Sequence, residues 1–306
     1  MRRRSGPPRV LVPILPTILA ITIASAWPSI AWSGPWARAQ GETYAKASAA
    51  RLEAREIYDA TGAVRPLLDP AAYVHPRYTE VGAALYVEYG LLPALTLLCS
   101  LPLKEAVQDA EGRLGTAEIH GETFGFSDLH LGARVPLHRG RWAASIEPDF
   151  KIPLRGAPEA EATDPALGTG LADLGAGLAV GAGIPRLRGY AQGSAGYRIR
   201  GGRTAEEAYW DLEVGLEPAR PLRVRFRYDA VDSRGARTGS GAGAPAPSAG
   251  EQDFHRVAPT VAVGLGGNNE LSVTWRRVVG GRSTIRSSEW ELGFSFLGSV
   301  VPARAF

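Results

Sequence analysis

Asp128 and His130 come nearest, by type and spacing, to residues that could carry out chemistry. Residues two apart in a strand project from the same face, so their carboxylate and imidazole would lie side by side. Such a pair can transfer protons or bind a metal, and it can equally form a structural contact. None of the five histidines lies in the His-x-Ser-Asn-Gly stretch that one class of membrane phospholipase carries. We therefore interpret the pair as structural.

The rest of the chain offers no other catalytic motif. His75 and His120 lie in long breaks between apolar runs, where solvated histidines are ordinary, and Cys99 is the single cysteine. A Gly-rich phosphate loop, a zinc-ligand spacing and a calcium loop are all missing from the sequence. We predict no catalytic residue, no cofactor and no metal site, and hence no enzyme.

The basic character of the chain depends on its first residues. Four arginines precede an apolar run at 10–26, and Ala37-Arg38-Ala39 follows as a small-x-small cleavage site. We predict that residues 1–39 are a cleaved signal peptide and that 40–306 form the mature protein; a retained N-terminal anchor is the alternative. Cleavage removes five arginines and no acids, which leaves 29 basic and 31 acidic side chains. This balance argues against a nucleic-acid partner.

Twelve runs of alternating apolar and polar residues occupy the mature chain. The clearest is Leu-Arg-Val-Arg-Phe-Arg-Tyr-Asp at 222–229, which has one apolar and one charged face as a strand. The predicted strands are 43–56, 78–90, 94–104, 124–137, 142–153, 170–182, 187–200, 206–217, 221–232, 253–265, 270–279 and 285–297. We predict an all-β fold, a 12-stranded antiparallel up-and-down transmembrane β-barrel. A soluble β-sandwich is the alternative.

Tight and long breaks alternate between these strands. The tight ones are 91–93, 137–141, 183–186, 217–221 and 266–269, and the others are mostly longer. Outer-membrane barrels have short periplasmic turns and longer extracellular loops. The rhythm therefore predicts an outer-membrane location in a Gram-negative-type cell, with both termini periplasmic. The low-complexity segment 233–252 is predicted to be a flexible extracellular loop.

Aromatic residues support the barrel over the sandwich. They stand near predicted strand ends on the apolar face, as in the girdles of membrane barrels. These residues are Tyr89, Trp142, Trp210, Tyr228, Trp275 and Trp290.

Alternation assigns a set of charged side chains to the lumen, because a basic residue facing the bilayer midplane costs about 2–4 kcal/mol. The predicted lumen and selectivity residues are Asp128, His130, Glu147, Asp149, Lys151, Arg198, Asp211, Glu213, Arg223, Arg225, Arg227 and Arg276. The tight turns also predict which of them lie directly opposite each other. These pairs are Glu213 with Arg225, Asp211 with Arg227, Asp128 with Lys151, and His130 with Asp149.

Two functions are compatible with such a lumen. In one, a water-filled path with an arginine ladder and an acidic wall selects small solutes by charge. In the other, the charges form a salt-bridged plug, and the barrel serves a structural or binding role without transport. A barrel enzyme is the third possibility.

Several local motifs resemble the outer-membrane barrels named for the meta-pathway of phenol degradation. The matching segments are 41–46 (Gly-Glu-Thr-Tyr-Ala-Lys), 86–91 (Tyr-Val-Glu-Tyr-Gly-Leu), 125–129 (Gly-Phe-Ser-Asp-Leu), 151–153 (Lys-Ile-Pro), 169–174 (Thr-Gly-Leu-Ala-Asp-Leu) and 196–200 (Gly-Tyr-Arg-Ile-Arg). The resemblance implies an outer-membrane channel or transporter for small compounds, which include hydrophobic or aromatic ones. We expect outer-membrane lipid, the barrel-assembly machinery and a small-molecule solute as partners. Barrels of this kind end on an aromatic residue, and Phe296 and Phe306 both qualify as the insertion signal.

Overall fold

The computed structural model describes residues 34–113, 116–155, 164–202, 205–234 and 252–299. The predicted signal peptide up to residue 33, most of the predicted flexible loop 233–252, and Phe306 lie outside the described residues. Within the described part, no helix is long and apolar enough to cross a membrane.

The described chain consists of strands joined by turns and loops, with one short 3-10 turn at Pro185–Leu187. The strands are β1 (Glu42–Tyr58), β2 (Val64–Pro66), β3 (Tyr73–Leu92), β4 (Leu95–Gly112), β5 (Ile119–Phe126), β6 (Leu129–His138), β7 (Trp142–Ile152), β8 (Asp173–Ile184), β9 (Gly189–Arg200), β10 (Glu206–Ala219), β11 (Leu222–Arg234), β12 (Asp253–Gly266), β13 (Asn269–Arg282) and β14 (Thr284–Ser299).

The strands close into a 12-stranded antiparallel up-and-down barrel, as predicted. β5 and β6 both pair with β4, so together they fill one position that is interrupted at Ser127 and Asp128. β2 is a short addition that pairs only with the end of β1. The barrel closes where β14 pairs with β1, from Glu42 opposite Ser299 to Tyr58 opposite Thr284. Closure satisfies the backbone groups that an open sheet edge would expose to lipid.

The two faces of the strands differ as the alternation requires. Large apolar side chains such as Leu85, Phe150, Leu212, Val224 and Leu292 are exposed on the outside. The charged side chains at the alternate strand positions point inward and are mostly buried. All six predicted girdle aromatics share the strand parity of the outward apolar residues. An apolar outer surface around a charged interior is the arrangement of a transmembrane barrel and the reverse of a soluble sandwich.

The connections separate by length at the two ends of the barrel. The five predicted tight turns lie at the end where β1 begins and β14 ends, which we call the turn end. The connections at the opposite end, which we call the loop end, are mostly longer, although Ser283 alone joins β13 to β14. The first of them is ordered by Asp59, whose Oδ1 accepts hydrogen bonds from the Thr61 N–H (2.8 Å) and hydroxyl (2.6 Å). These contacts, the Thr61 hydroxyl first, hold the pKa of the Asp59 carboxylate well below its usual range.

Two loops fold into the loop end of the barrel. Leu67 and Leu68, which follow β2, and Leu167, which precedes β8, are each 3% exposed. They pack against inward side chains of the barrel wall, including Leu52 and Tyr78. The predicted alternation could not reveal this apolar plug, because its central residues lie outside the strands. The plug therefore occupies part of the lumen at this end.

The strand register differs by two residues from the predicted opposite pairs in both hairpins concerned. β10 continues to Ala219, which pairs with Leu222, so Glu213 lies opposite Arg227 instead of Arg225. Asp211 consequently lies opposite Asp229 instead of Arg227. The prediction was wrong because it assumed a five-residue turn at 217–221, whereas the actual turn has two residues, Arg220 and Pro221, and a bulge between Leu216 and Ala219 precedes it. A shift of two preserves the face of every side chain.

The β6–β7 hairpin shows the same kind of shift. His130 lies opposite Lys151 instead of Asp149, and Asp149 lies opposite Gly132. The predicted opposite pairing of Asp128 with Lys151 is therefore also wrong, although a diagonal contact joins them. The turn is centred later in the sequence than predicted, between His138 and Ala144, and a bulge between Pro136 and His138 offsets one residue of this difference, which leaves a shift of two.

Candidate functional site

The barrel interior collects all twelve residues that the sequence assigned to the lumen. Most of them are nearly inaccessible: Lys151 is 1% exposed, His130 and Asp149 are 4% exposed, and Arg276 is 5% exposed. The β11 arginines are more accessible toward the turn end, where half of the Arg223 side chain is exposed. The interior is therefore tightly packed in its middle and open near the start of β11.

A chain of charges crosses the interior between β6 and β10. Lys151 Nζ lies 2.6 Å from Asp173 Oδ2 and 3.5 Å from Asp128 Oδ2, so one ammonium joins two carboxylates. On the neighbouring strands, Arg198 and Arg200 share the carboxylate of Glu207 at 2.9 and 2.7 Å. Alternating signs let each charge offset the desolvation of its neighbours.

The two halves of this chain meet at Asp149 and Asp173. Arg198 Nη2 lies 3.7 Å from Asp149 Oδ2, and Arg200 Nε lies 3.6 Å from Asp173 Oδ2. Asp149 also accepts a hydrogen bond from the Tyr209 hydroxyl at 3.3 Å. Asp149 thus interacts with Arg198, and the residue opposite it in the strand register is Gly132 instead of the predicted His130.

A second cluster lies between β3, β6 and β7. Arg134 Nε is 2.5 Å from Glu147 Oε1, and its Nη1 is 3.3 Å from Glu88 Oε2. Glu88 also accepts a hydrogen bond from the Tyr86 hydroxyl at 2.7 Å. Arg134 and Glu88 are both 0% exposed. The predicted acidic wall at Glu147 is therefore neutralised locally, by Arg134.

A third cluster spans the closing strands. Arg276 on β13 forms ion pairs with Glu289 and Glu291 on β14, the second at 2.8 Å. Lys46 on β1 contacts the other oxygen of Glu291 at 2.7 Å. This cluster joins three adjacent strands across the seam where the barrel closes.

The arginine ladder of β11 pairs across an intervening strand. Arg223 Nη1 lies 2.8 Å from Glu270 Oε2 on β13, and Arg225 binds the other oxygen of Glu270. The strand between them, β12, contributes the small inward side chains Thr260 and Ala262 at this level. The arginines can therefore reach over β12 to β13.

The other predicted acids have different partners. Arg227 Nη2 lies 3.6 Å from Asp211 Oδ2, a diagonal contact consistent with the corrected register. Glu213 accepts hydrogen bonds from the Tyr190 hydroxyl and from Gln192 Nε2, the latter at 3.4 Å. Arg223, Arg225 and Glu270 border a pocket of about 300 Å³ at the turn end, and two voids among the described strands are smaller, about 10 and 40 Å³.

Residues 34–39 also enter the barrel at its turn end. The backbone N–H of Arg38 donates to Thr96 Oγ1 at 2.9 Å, and Arg38 Nε lies 2.6 Å from Glu88 Oε2. The Trp36 ring packs edge-on against Tyr190, with centroids 6.1 Å apart. This segment precedes the predicted cleavage point, so cleavage after Ala39 would remove it from the lumen.

The sequence prediction omitted several partners that the structure brings into the site. The omitted partners are Lys46, Glu207, Glu270, Glu289 and Glu291. The alternation of the sequence does assign some of them to the lumen. Glu270 has the same strand parity as Arg276, and the two β14 glutamates alternate with the outward Trp290 and Leu292.

The interior has the chemistry of an electrostatic lining. Among the described residues, no group of three or more His, Cys, Asp or Glu side chains could hold a metal ion. Asp128 interacts with Lys151, and His130 lies opposite Lys151 across the hairpin. The lining can orient water and attract or repel charged solutes at its open end.

Comparisons with known proteins agree with this architecture. A crystal structure of an outer membrane channel from Pseudomonas putida F1 matches with a TM-score of 0.64 at 11% identity, covering 86% of this chain and 97% of that chain. The NanC porin matches with a TM-score of 0.47 at 8% identity, covering 81% and 98%. The KdgM porin matches with a TM-score of 0.43 at 11% identity, covering 82% and 98%. No curated protein sequence matches the chain.

The first of these likenesses shows the fold, and the sequence itself shows the family. A family model described as "Putative MetA-pathway of phenol degradation" matches residues 69–295, which is most of the chain. The resemblance found in the local motifs is thereby confirmed, and the chain belongs to this family.

Proposed function

We propose that this protein is an outer-membrane channel of narrow bore that passes small solutes. The turn end faces the periplasm and the loop end faces outside, since short turns and long loops are distributed in this way in barrels of this class. The observation that carries the proposal is the construction of the plug. It consists of loop residues, so its movement would break local contacts, such as the hydrogen bond from the Leu67 N–H to the Arg55 carbonyl (2.9 Å), and leave the pairing of the wall strands intact.

The chemistry of the two ends supports a preference among solutes. At the loop end, a solute would have to pass between Leu67, Leu68, Leu167 and Tyr78, which form a buried apolar cluster. At the turn end it would leave past Arg223 and the other residues of the basic pocket. This sequence of contacts favours small compounds with an apolar body and a polar or anionic group, including aromatic acids.

Single-channel recording in a planar bilayer tests the proposal. We expect the refolded chain 40–306 to give discrete conductance steps. Arg225→Glu should shift the ion preference toward cations, because it reverses a charge at the open pocket. Arg234→Glu is the matched control. Arg234 lies at the loop end, its side chain is 63% exposed, and it occupies an outward-facing position of β11. A folded barrel that gives no steps at any voltage and admits no neutral solute into proteoliposomes would refute the channel.

The closed barrel is the second candidate, and the burial of the central ion pairs favours it. In that case Arg225→Glu would change stability without creating or altering any current. Flux of neutral solutes into proteoliposomes separates a closed barrel from a channel with very low ionic conductance. We assign no catalytic role to any lumen residue, and we propose membrane lipid, the barrel-assembly machinery and a small solute as the partners.

A further inference from the structure

Five arginines gather on the outer wall of the barrel near the loop end. They come from four consecutive wall strands, β13, β14, β1 and β3, and all have outward strand parity. They are Arg51, Arg55, Arg77, Arg277 and Arg286. Charged residues on an outer wall are costly in hydrocarbon, so this cluster has to lie where the bilayer is polar.

The register places the arginines at and just beyond the aromatic girdle. Arg51 lies opposite Trp290, which in turn lies opposite Trp275. Arg277 is two residues closer to the loop end than Trp275 and lies opposite Ser288. Tryptophans of membrane barrels mark the level of the lipid headgroups. The cluster therefore lies at the level where headgroups contact the protein.

The cluster borders an open groove and carries excess positive charge. The groove has a volume of about 350 Å³ and is lined by Arg51, Arg55, Arg277, Arg286 and the exposed face of Trp290, among others. That volume can hold a phosphate group and part of the sugar that bears it.

Two acids form ion pairs with arginines of the cluster, and a third, Asp109, lies opposite Arg77 at the edge of the cluster. Glu53 contacts Arg55 at 3.1 Å and Arg77 at 3.0 Å, and Glu56 contacts Arg286 at 2.7 Å. Arg51 and Arg277 form no ion pair with any residue that the structure describes. Two guanidinium groups at the groove thus retain their charge for an external partner.

The adjoining part of the wall has the opposite charge. On β4 and β5, the exposed outward residues of the loop-end half include Glu105, Asp109, Glu111 and Glu122. A general need for surface charge would not separate the two signs in this way. The separation favours a specific anionic partner on the side of β13, β14, β1 and β3.

We infer that this groove binds the phosphate groups of a glycolipid in the outer leaflet. Arginine suits phosphate because its planar fork can donate two parallel hydrogen bonds to two oxygens. Trp290 would contact the sugar or the upper acyl chain beside them. The inference rests on the membrane orientation in the proposed function, and it does not require the lumen to conduct.

The test measures binding of diphosphoryl lipid A to the refolded chain 40–306 in detergent, by native mass spectrometry. Arg51→Gln with Arg277→Gln should weaken binding about 30-fold, since each arginine near an anionic lipid surface contributes a factor of about five. Arg51→Lys with Arg277→Lys should keep part of the affinity. Arg186→Gln with Arg220→Gln, which removes two exposed arginines of the turn end, should change nothing.

The lipid probes identify the chemical group that is bound. Lipid A without phosphates should bind to the wild type as weakly as diphosphoryl lipid A binds to the Gln variant. Displacement of lipid A by millimolar inorganic phosphate would assign the groove to free phosphate and overturn the lipid assignment. Equal lipid A binding by wild type and the Gln variant, both folded by heat-modifiable gel mobility, would overturn the inference entirely. Conductance of the Gln variant should match the wild type, so a failure of the channel proposal is visible separately.

Discussion

Replacing Arg276 by methionine tests whether the middle of the lumen is dry. Its side chain is 6% exposed, and its partners Glu289 and Glu291 are 12% and 9% exposed. In the variant, Glu291 keeps Lys46 as a partner at 2.7 Å. Glu289 forms no other ion pair within the described residues. One carboxylate is therefore left buried without a counter-charge.

The size of the effect follows from that count. Breaking a buried ion pair by removing one partner destabilises a protein by about 3–5 kcal/mol. We expect about 3 kcal/mol, since Glu289 retains slight access to solvent and only one carboxylate is left unpaired. Adding Glu289→Gln removes the unpaired charge and should recover most of the loss. Arg223→Met should cost less than about 1 kcal/mol, because the Arg223 side chain is half exposed and Glu270 keeps Arg225.

The free energy of unfolding can be measured by urea titration in lipid vesicles, with tryptophan fluorescence as the signal. Trp275 and Trp290, whose ring centroids are 6.4 Å apart, lie on the strands that the variant alters. If the free energy of unfolding of the Arg276→Met variant lies within about 1 kcal/mol of the wild-type value, the two carboxylates are solvated. That result would refute the inference that the middle of the lumen is dry. That outcome would favour a water-filled lumen over a salt-bridged one.

Three further outcomes are expected. Leu67→Ala with Leu68→Ala should open the loop end and increase the uptake of a small neutral sugar into proteoliposomes; unchanged uptake would exclude the plug as the barrier. A chain that retains residues 34–39 should conduct less than one that begins at Gln40, because the segment occupies the turn end; equal conductance in planar bilayers would contradict this. Phe296→Ala should lower the fraction of heat-modifiable barrel assembled in cells, provided that Phe296 is the insertion signal; normal assembly would point to the chain terminus instead.

Strand positions and faces were predictable because both follow from side-chain alternation. The run at 222–229 is strand β11, and its arginines face inward as the pattern requires. Each predicted strand has a counterpart in the wall, and the five tight turns occur at one end. A strand can place either its odd or its even residues toward lipid. Because a charge in lipid costs several kcal/mol at the midplane, only the choice that turns the charged residues inward is stable.

Partners were less predictable, because they depend on turn length and on the side chains of intervening strands. A shorter turn at 220–221, together with a one-residue bulge before it, moved every β10–β11 pair beyond the bulge by two residues. The contact of Arg225 with Glu270 depends on small residues of β12, which an analysis of adjacent hairpins does not consider. The inward course of Leu67 and Leu167 was also beyond prediction, since loops have no periodicity that assigns a face to each residue.

The pairing of β14 with β1 also determines the order in which this molecule can be completed. The seam joins residues 42–58 to residues 284–299, so its two sides are separated by nearly the whole length of the barrel sequence. Loop-closure entropy makes such distant contacts slow to form, and β14 is the last of the described strands to be synthesised. Before it docks, the partly built sheet has two unpaired edges that can join with other chains. A truncation before residue 284 therefore leaves an aggregation-prone open sheet rather than a smaller barrel.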